Sequence, residues 1–176
     1  MSEGSGQAPR IYLVGFMASG KTTVGRALAE RLGSEFIDTD TLIEERTGLT
    51  VAALFAAQGE AEFRRIETQV LAGVSRREGV VVATGGGAVL DLGNQERLRS
   101  TGLVLWLRCP FAIIESRISR QGGTRPLALD AAGLGPLFTR REPLYAFAHH
   151  QIDASRAVHL VVDDVMALLG PRVPET

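Results

Sequence analysis

A glycine-rich segment near the start of the chain constrains the fold more than any other feature. Residues 15–22 read GFMASGKT and match the pattern G-x-x-x-x-G-K-[ST]. They stand between a short apolar run, Ile11–Val14, and a helical pattern over Lys21–Leu32 in which apolar residues recur every fourth position. A strand, a tight glycine loop and a helix in this order predict a phosphate-binding loop in an α/β protein.

The chemistry of such a loop follows from its residue types. Glycines let the backbone turn closely enough for its N–H groups to point at phosphate oxygens, and the following helix adds its positive end. Lys21 is expected to reach the β- and γ-phosphates, and the Thr22 hydroxyl to ligate Mg²⁺. The alternative is a strand-to-helix turn that binds nothing. The predicted nucleotide-binding residues here are Gly15, Ala18, Ser19, Gly20, Lys21, Thr22 and Thr23.

Lysine occurs once in this chain, at position 21, among 19 lysines and arginines in total. A general preference for arginine explains the other basic residues but not this exception. The arginine side chain ends in a wide planar fork, whereas lysine ends in a compact point charge on a thin stem. A site that admits only the thin ammonium group would keep its lysine.

Length and composition narrow the class of protein. The 176 residues, 45% hydrophobic and 22% charged, suit one globular domain, predicted over 10–170 between a leader (1–9) and a tail (171–176). We expect a cytoplasmic protein, since one cysteine cannot form an internal disulfide and no signal-peptide or membrane-spanning pattern is present. The net charge of −1 predicts no binding to nucleic acid or membranes.

Apolar runs alternate with helical patterns along the chain, which indicates β-α units around a parallel sheet. Strands are predicted over 11–14, 35–38, 80–84, 103–107 and 151–153. Helices are predicted over 21–32, 40–47, 51–57, 60–75, 110–119, 137–149 and 161–169. Residues 121–135 are rich in Gly, Thr, Pro and Ala and predict a mobile loop.

Two carboxylates follow the second predicted strand. Asp38 and Asp40 lie where the phosphate end of a parallel sheet is expected. One could face a metal ion and the other an acceptor hydroxyl. Alternatively, an aspartate here, such as Asp40, caps the next helix.

Two pairs of adjacent arginines suggest a binding site for an anion. Arg64 stands next to Arg65, and Arg140 next to Arg141. Neighbours on a helix do not share a face, so at most one of each pair should point into a cleft. An arginine fork fits a carboxylate bidentately, although an isolated arginine on a helix is more often a surface ion-pair member.

These segments together resemble one enzyme family. The motifs GFMASGKTTVG, DTD, GEAEFRRIE, GGGAV, RPL and REPLY occur in order between about residues 11 and 155. Their combination resembles shikimate kinases, in the nucleoside-monophosphate-kinase-like branch of P-loop proteins. The resemblance implies an α/β fold of three layers with a five-stranded parallel sheet ordered 2-3-1-4-5. It also implies a monomer that uses ATP and Mg²⁺ to phosphorylate the 3-hydroxyl of shikimate, on the route to chorismate and the aromatic amino acids.

The resemblance also assigns roles residue by residue. Thr22 and Asp38 would hold Mg²⁺, while Lys21, Asp40 and Arg125 would act in catalysis, with Asp40 also binding the ring hydroxyls of shikimate. Arg125 would reach the ATP phosphates from a lid over about 120–135, and Arg120 and Arg156 would lie near the adenine. The remaining substrate contacts would be Arg64 and Arg141 on the carboxylate, the backbone of Gly85, Gly86 and Gly87, and Phe55 and Phe63. For the two phenylalanines, plain core packing is an equal alternative.

Two other functions are compatible with parts of this pattern. The acceptor could be another small molecule, such as gluconate or a nucleoside monophosphate. A ligand sensor without catalytic activity could use the same scaffold, but such a domain could lose the acidic pair, the lid arginine or Lys21, and this chain retains all three. The predicted lid is also shorter than many in the family. This difference affects the assignment of Arg120 more than that of the other residues.

Overall fold

Short buried strands build the centre of the molecule. The computed structural model describes residues 9–120 and 131–170. In these ranges five strands form one parallel sheet in the order β2-β3-β1-β4-β5. The strands are β1 (Ile11–Val14), β2 (Glu35–Asp38), β3 (Val80–Ala83), β4 (Leu103–Arg108) and β5 (His150–Asp153). The strand order expected from the resemblance is confirmed.

Helices cover both faces of this sheet. They are α1 (Lys21–Leu32), α2 (Thr39–Thr47), α3 (Val51–Val74), α4 (Leu92–Thr101), α5 (Phe111–Arg120), α6 (Ala131–Arg141) and α7 (Val158–Leu169). Two 3-10 segments, Ala88–Leu90 and Glu142–Phe147, complete the regular structure of the described ranges. None of the helices in these ranges has the length and apolar character needed to cross a membrane.

Strand β1 lies at the centre and divides the core in two. Side chains alternate across a strand, so Tyr12 and Val14 enter one core while Ile11 and Leu13 enter the other. The first core contains residues of α3, α4 and α5, and the second contains residues of α1 and α7. All four β1 side chains are buried, as expected for a parallel strand covered on both faces.

The predicted elements differ from the structure mainly after the glycine loop. Helix α4 and the 3-10 segment Ala88–Leu90 were not predicted, because α4 buries only Asn94 and Leu98 and so lacks a clear apolar stripe. Helix α7 begins three residues earlier than predicted. The predicted break between helices at 57 and 60 is confirmed, since Gly59 has a non-helical φ of 81° inside α3.

The region around the predicted lid needs a correction. Residues 131–135 were expected to belong to a loop, but they form the start of α6. The helix predicted over 137–149 ends instead at Arg141 and continues as a 3-10 segment, with Pro143 near the start of that segment. Residues 121–130 of the predicted lid, together with 1–8 of the leader and 171–176 of the tail, lie outside the described residues.

Two helical glycines provide a matched test of this packing. A Cβ added to buried Gly25 of α1 would lie 2.5 Å from the Phe36 ring, whereas one added to exposed Gly73 of α3 would meet nothing within 4 Å. We expect Gly25→Ala to lower the free energy of unfolding by about 1–3 kcal/mol through overpacking. Gly73→Ala should raise it by about 0.5–1 kcal/mol. Urea denaturation of both variants checks this pair, and a Gly25→Ala protein as stable as wild type would contradict the close approach of α1 to β2.

Candidate active site

A cleft of about 720 Å³ opens at the carboxyl ends of the strands. Its walls come from the phosphate loop, from the starts of α1 and α2, and from α3. The glycine segment after β3, Arg117 of α5, Arg141 of α6 and residues 154–158 complete the lining. In open α/β sheets ligands bind at this edge, so the candidate site lies where the fold predicts one.

The phosphate loop has the strained backbone that its glycines allow. Gly15 and Gly20 have positive φ angles of 150° and 100°, and Ala18 also has a positive φ of 57°. The Lys21 ammonium donates hydrogen bonds to the carbonyls of Gly15 at 2.8 Å and Phe16 at 2.9 Å. The loop therefore curls around its own lysine. Of the predicted residues of this loop, Ala18, Ser19, Gly20, Lys21, Thr22 and Thr23 line the cleft, and Gly15 lies just behind them.

The two aspartates have different surroundings, and the capping residue is Asp38. Its Oδ1 accepts a hydrogen bond from the Asp40 backbone N–H at 3.0 Å and caps α2, while its Oδ2 accepts from the Thr22 hydroxyl at 2.8 Å. The alternative that Asp40 is the cap is wrong, because Asp40 lies in the first turn of α2. There it lines the cleft.

Thr39, between the two aspartates, was not predicted to matter. It is fully buried, and its hydroxyl accepts a hydrogen bond from the Gly85 N–H at 2.9 Å. This bond joins the start of α2 to the glycine segment that follows β3. The available sequence signal was its place between the two aspartates of the DTD triplet.

The glycine segment is packed too closely for side chains. A Cβ on Gly85 would lie 2.8 Å from both Asp40 Oδ1 and Glu67 Oε1. A Cβ on Gly87 would overlap the Arg64 guanidinium. The absence of side chains therefore lets the backbone of this segment approach the charged groups of the cleft directly.

Within each arginine pair, one member lines the cleft. Arg64 bonds to Glu67 at 2.7 Å and to Glu60 at 3.2 Å, while Arg65 points outward to Glu62. Arg141 is 8% exposed and lines the cleft, whereas Arg140 is exposed. Burial lowers the pKa of Arg141 from its ordinary value, and Arg64 also contributes to this shift. As expected, no more than one arginine of each pair lines the cleft.

Glu67 is a further charged group of the cleft that was not predicted. Its side chain is 1% exposed, and burial raises its pKa from 4.5 to about 7, against the opposing effect of Arg64. Its Oε1 has no hydrogen-bond partner in the described part of the chain, whereas Oε2 accepts from Arg64. The sequence signal was its position three residues after Arg64, on the same helix face.

The two phenylalanines line the cleft and also pack in or against the core, while their contact with substrate stays a prediction. Phe55 and Phe63 line the cleft with ring centroids 4.5 Å apart, and Phe63 is also part of a buried core cluster. The Arg64 guanidinium carbon lies 5.1 Å from the Phe63 ring centroid. The two rings thus form an apolar wall of the cleft against which the Arg64 guanidinium packs.

Beside the phosphate loop the cleft is lined by Arg117, an arginine that was not predicted. Arg117 donates hydrogen bonds to the carbonyls of Ala18 and Ser19, both at 3.2 Å, and to the carbonyl of Ala154 at 3.0 Å. Arg120 is exposed at the end of α5 and does not line the cleft as described. Arg156 does line it and pairs with Asp153 and Asp164. The predicted lid residue Arg125 lies outside the described residues.

Comparison with known proteins decides the family. The family model for shikimate kinase matches residues 17–169. The chain belongs to the shikimate kinase family. It is 46% identical over 168 residues to a shikimate kinase of Symbiobacterium thermophilum, covering 92% of this chain and 97% of that one. It is 40% identical over 171 residues to a shikimate kinase of Salinibacter ruber, covering 91% and 84%. A shikimate kinase from Acinetobacter baumannii, solved in complex with shikimate, superposes with a TM-score of 0.86 at 39% identity, covering 92% and 93%.

In this member of the shikimate kinase family, the predicted acceptor residues come together from distant parts of the sequence. All of them line the same cleft: Asp40, Phe55, Phe63, Arg64, Gly85, Gly86, Gly87 and Arg141. The predicted metal ligands Thr22 and Asp38 line its other half.

The raised pKa of Glu67 generates a prediction about stability. A carboxyl group whose pKa rises on folding stabilises the protein fully only below its unfolded pKa, here 4.5, and that contribution is lost as the pH rises through about 7. Wild type should therefore lose stability relative to Glu67→Gln as the pH rises. The free energy of unfolding of the variant minus that of wild type should increase by about 2–3 kcal/mol between pH 4.5 and pH 7.5.

Urea denaturation across this pH range measures the difference. Glu62→Gln is the matched control, because Glu62 pairs with Arg65 on the exposed face of the same helix, and this pairing lowers its pKa. The control difference should stay flat or change in the opposite sense. Parallel curves for wild type and Glu67→Gln would show that Glu67 titrates normally.

Proposed function

We propose that this protein transfers the γ-phosphoryl group of ATP to the 3-hydroxyl of shikimate, giving shikimate 3-phosphate and ADP on the route to chorismate and the aromatic amino acids. The observation that carries the proposal is the shared cleft. The phosphate loop, the two inward arginines, Asp40 and the glycine segment all line it. A triphosphate and a carboxylated acceptor would meet in this space.

The nucleotide would occupy the end lined by the phosphate loop. Positive φ angles turn the loop backbone around the expected phosphates, and α1 begins there with its N–H groups exposed to them. Lys21 would exchange its bonds to the Gly15 and Phe16 carbonyls for phosphate oxygens. Arg117, held between the phosphate loop and Ala154, would form the wall beside the base.

The residues at the start of α1 and the end of β2 fit Mg²⁺. The Thr22 hydroxyl and the Asp38 carboxylate are hard oxygen donors 2.8 Å apart at the mouth of the phosphate loop. No cluster of three or more His, Cys, Asp or Glu side chains suited to a metal occurs in residues 9–120 and 131–170. This matches Mg²⁺ better than an all-protein metal cage, because Mg²⁺ is usually held by one or two protein groups, waters and substrate phosphates. When bound, the ion would offset charge on the transferring group.

Shikimate would bind at the end lined by Arg64 and Arg141. The guanidinium of each arginine lines the cleft, and Phe55 and Phe63 supply an apolar wall beside Arg64. A planar carboxylate matches an arginine fork, and charge-assisted hydrogen bonds are the stronger kind. The bond from Arg64 to Glu67 fixes the guanidinium before substrate arrives.

Asp40 would orient the attacking hydroxyl. It lies against Gly85 and close enough to Glu67 for its charge to raise the pKa of that carboxyl. Phosphoryl transfer asks mainly for positioning and charge stabilisation, so an aspartate that accepts a hydrogen bond from the 3-hydroxyl supplies what the acceptor needs. The hydroxyl proton would pass to this carboxylate as the new P–O bond forms.

Several parts of the proposal rest on the family resemblance. These are the closure of a lid, the contact of Arg125 with the ATP phosphates, and the contacts of Arg120 and Arg156 with adenine. The expected monomeric state and cytoplasmic location also stay predictions.

Release of ADP tests the proposed reaction. The rate of ADP release by purified protein and Mg-ATP is measured with shikimate, with gluconate, with each of a panel of nucleoside monophosphates, and without an acceptor. The rates are then compared. We expect only shikimate to stimulate ADP release strongly. Stimulation by another acceptor would replace the proposed substrate, and tight binding of ATP and shikimate without turnover would favour a sensor.

Arg64 and Arg65 provide a matched pair for the acceptor end. Arg64→Ala removes the inward guanidinium and should raise the KM for shikimate about 10- to 100-fold, the effect expected from losing one or two charge-assisted bonds. The KM for ATP should change less than about twofold. Arg65→Ala removes the same group from the outer face and should leave both constants near wild type. Equal shikimate KM values for the two variants would refute the proposal that Arg64 binds the shikimate carboxylate.

A further inference from the structure

Tyr145 is a buried tyrosine beside the cleft that the proposed mechanism does not use. It lies in the 3-10 segment Glu142–Phe147 and is 1% exposed. Its hydroxyl donates a hydrogen bond to the Gly86 carbonyl at 2.9 Å. Its ring lies against Trp106 of β4, with centroids 5.9 Å apart. Burial raises the pKa of Tyr145, so the hydroxyl keeps its proton at neutral pH.

The bond to Gly86 fixes more than one carbonyl. The Gly86 carbonyl and the Gly87 N–H belong to one planar trans peptide, so the two groups point in opposite directions. A carbonyl held toward Tyr145 therefore turns the Gly87 N–H to the side away from Tyr145. Gly87 lines the cleft, and the Arg64 guanidinium lies directly against it.

A peptide between two glycines needs such a restraint. Glycine populates many backbone conformations, and this segment has no side chains of its own to hold the Gly86–Gly87 peptide. The Gly85 N–H is held by the Thr39 hydroxyl at 2.9 Å, and the Gly85 carbonyl accepts a hydrogen bond from Ala88. Tyr145 supplies the hydrogen bond to the next carbonyl along the chain, from an element 59 residues away.

Tyr145 also lies close to Arg141, the second arginine expected to bind the shikimate carboxylate. It follows Arg141 by four residues, and the charge of Arg141 acts on it. The segment that carries the hydroxyl thus follows directly after a residue that lines the cleft.

We propose that Tyr145 is a positioning residue for the acceptor: its hydroxyl sets the Gly86–Gly87 peptide so that the Gly87 N–H faces shikimate beside Arg64. The inference rests on the proposed function, because it assumes that shikimate occupies this end of the cleft. Tyr145 itself does not touch the reacting atoms. Its loss should therefore weaken acceptor binding and leave nucleotide binding unchanged.

The chain contains a second tyrosine that serves as a matched control. Tyr12 of β1 is fully buried, and its hydroxyl bonds to the Thr101 hydroxyl, also at 2.9 Å. It is not among the residues that line the cleft as described. Tyr145→Phe and Tyr12→Phe each remove one hydroxyl and its part-buried hydrogen bond, so their effects on thermal stability should be similar.

The test measures steady-state constants and binding for both variants. Tyr145→Phe should raise the KM and Kd for shikimate about 3- to 10-fold, while the KM and Kd for ATP change less than twofold. Tyr12→Phe should leave all four values near wild type. Unchanged shikimate constants in Tyr145→Phe would overturn the proposal. Equal changes in both variants, or equal weakening of ATP and shikimate, would also overturn it, because they would indicate a general structural role.

A second variant covers the case in which Tyr145→Phe does not fold. Trp106→Phe keeps the Tyr145 hydroxyl but removes part of the surface against which the Tyr145 ring packs. Because the hydroxyl is then held less firmly, the shikimate KM should rise about 2- to 3-fold while the ATP KM stays unchanged. An unchanged shikimate KM in that variant would overturn the proposal. Failure of the proposed function is distinguishable, since wild-type protein would then show no shikimate-dependent ADP release.

Discussion

The pairing of β1 with β3 is the constraint on which the site depends. Both strands end at the same edge of the sheet, and the Thr84 N–H and hydroxyl bond to the Leu13 carbonyl at 3.1 and 3.2 Å. The phosphate loop leaves one strand and the glycine segment leaves the other, so the two loops must lie against each other. A Cβ on Gly86 would be only 3.5 Å from the Met17 backbone nitrogen. The nucleotide and acceptor ends of the cleft are thereby held within reach of one phosphoryl transfer.

Several charged side chains around this contact already bond to other groups of the protein before substrates arrive. The Lys21 ammonium binds carbonyls of its own loop, Arg64 binds Glu67, and Asp38 binds the Thr22 hydroxyl. Such internal partners keep the charged groups oriented, and under the proposed function ligand atoms would replace some of them. A buried carboxyl with a pKa of about 7 can also lose or gain a proton as the charge beside it changes.

Local features of the sequence predicted most of the fold. Short apolar runs between glycines, and the phosphate-loop motif, depend on neighbouring residues, and they predicted the strands and α1 well. The missed contacts join residues far apart: Thr39 reaches Gly85 across 46 residues, and Arg117 reaches the phosphate loop across more than 90. Periodicity says which face of a helix is apolar, but it does not say which distant backbone group a hydroxyl or guanidinium will meet. The resemblance assigned Arg120 to the adenine region, and only the path of α5 shows that Arg117 is the arginine that bonds to the phosphate loop.

The central claim is that the cleft presents one hydroxyl of shikimate, the 3-hydroxyl, to the γ-phosphate. Phosphorus and proton NMR of the product formed from shikimate and Mg-ATP tests this most directly, because coupling between phosphorus and a ring proton identifies the phosphorylated carbon. The account predicts coupling to the proton at carbon 3 alone, with one phosphorylated product for each ADP released. Phosphate on the 4- or 5-hydroxyl, or inorganic phosphate as the main product, would contradict it.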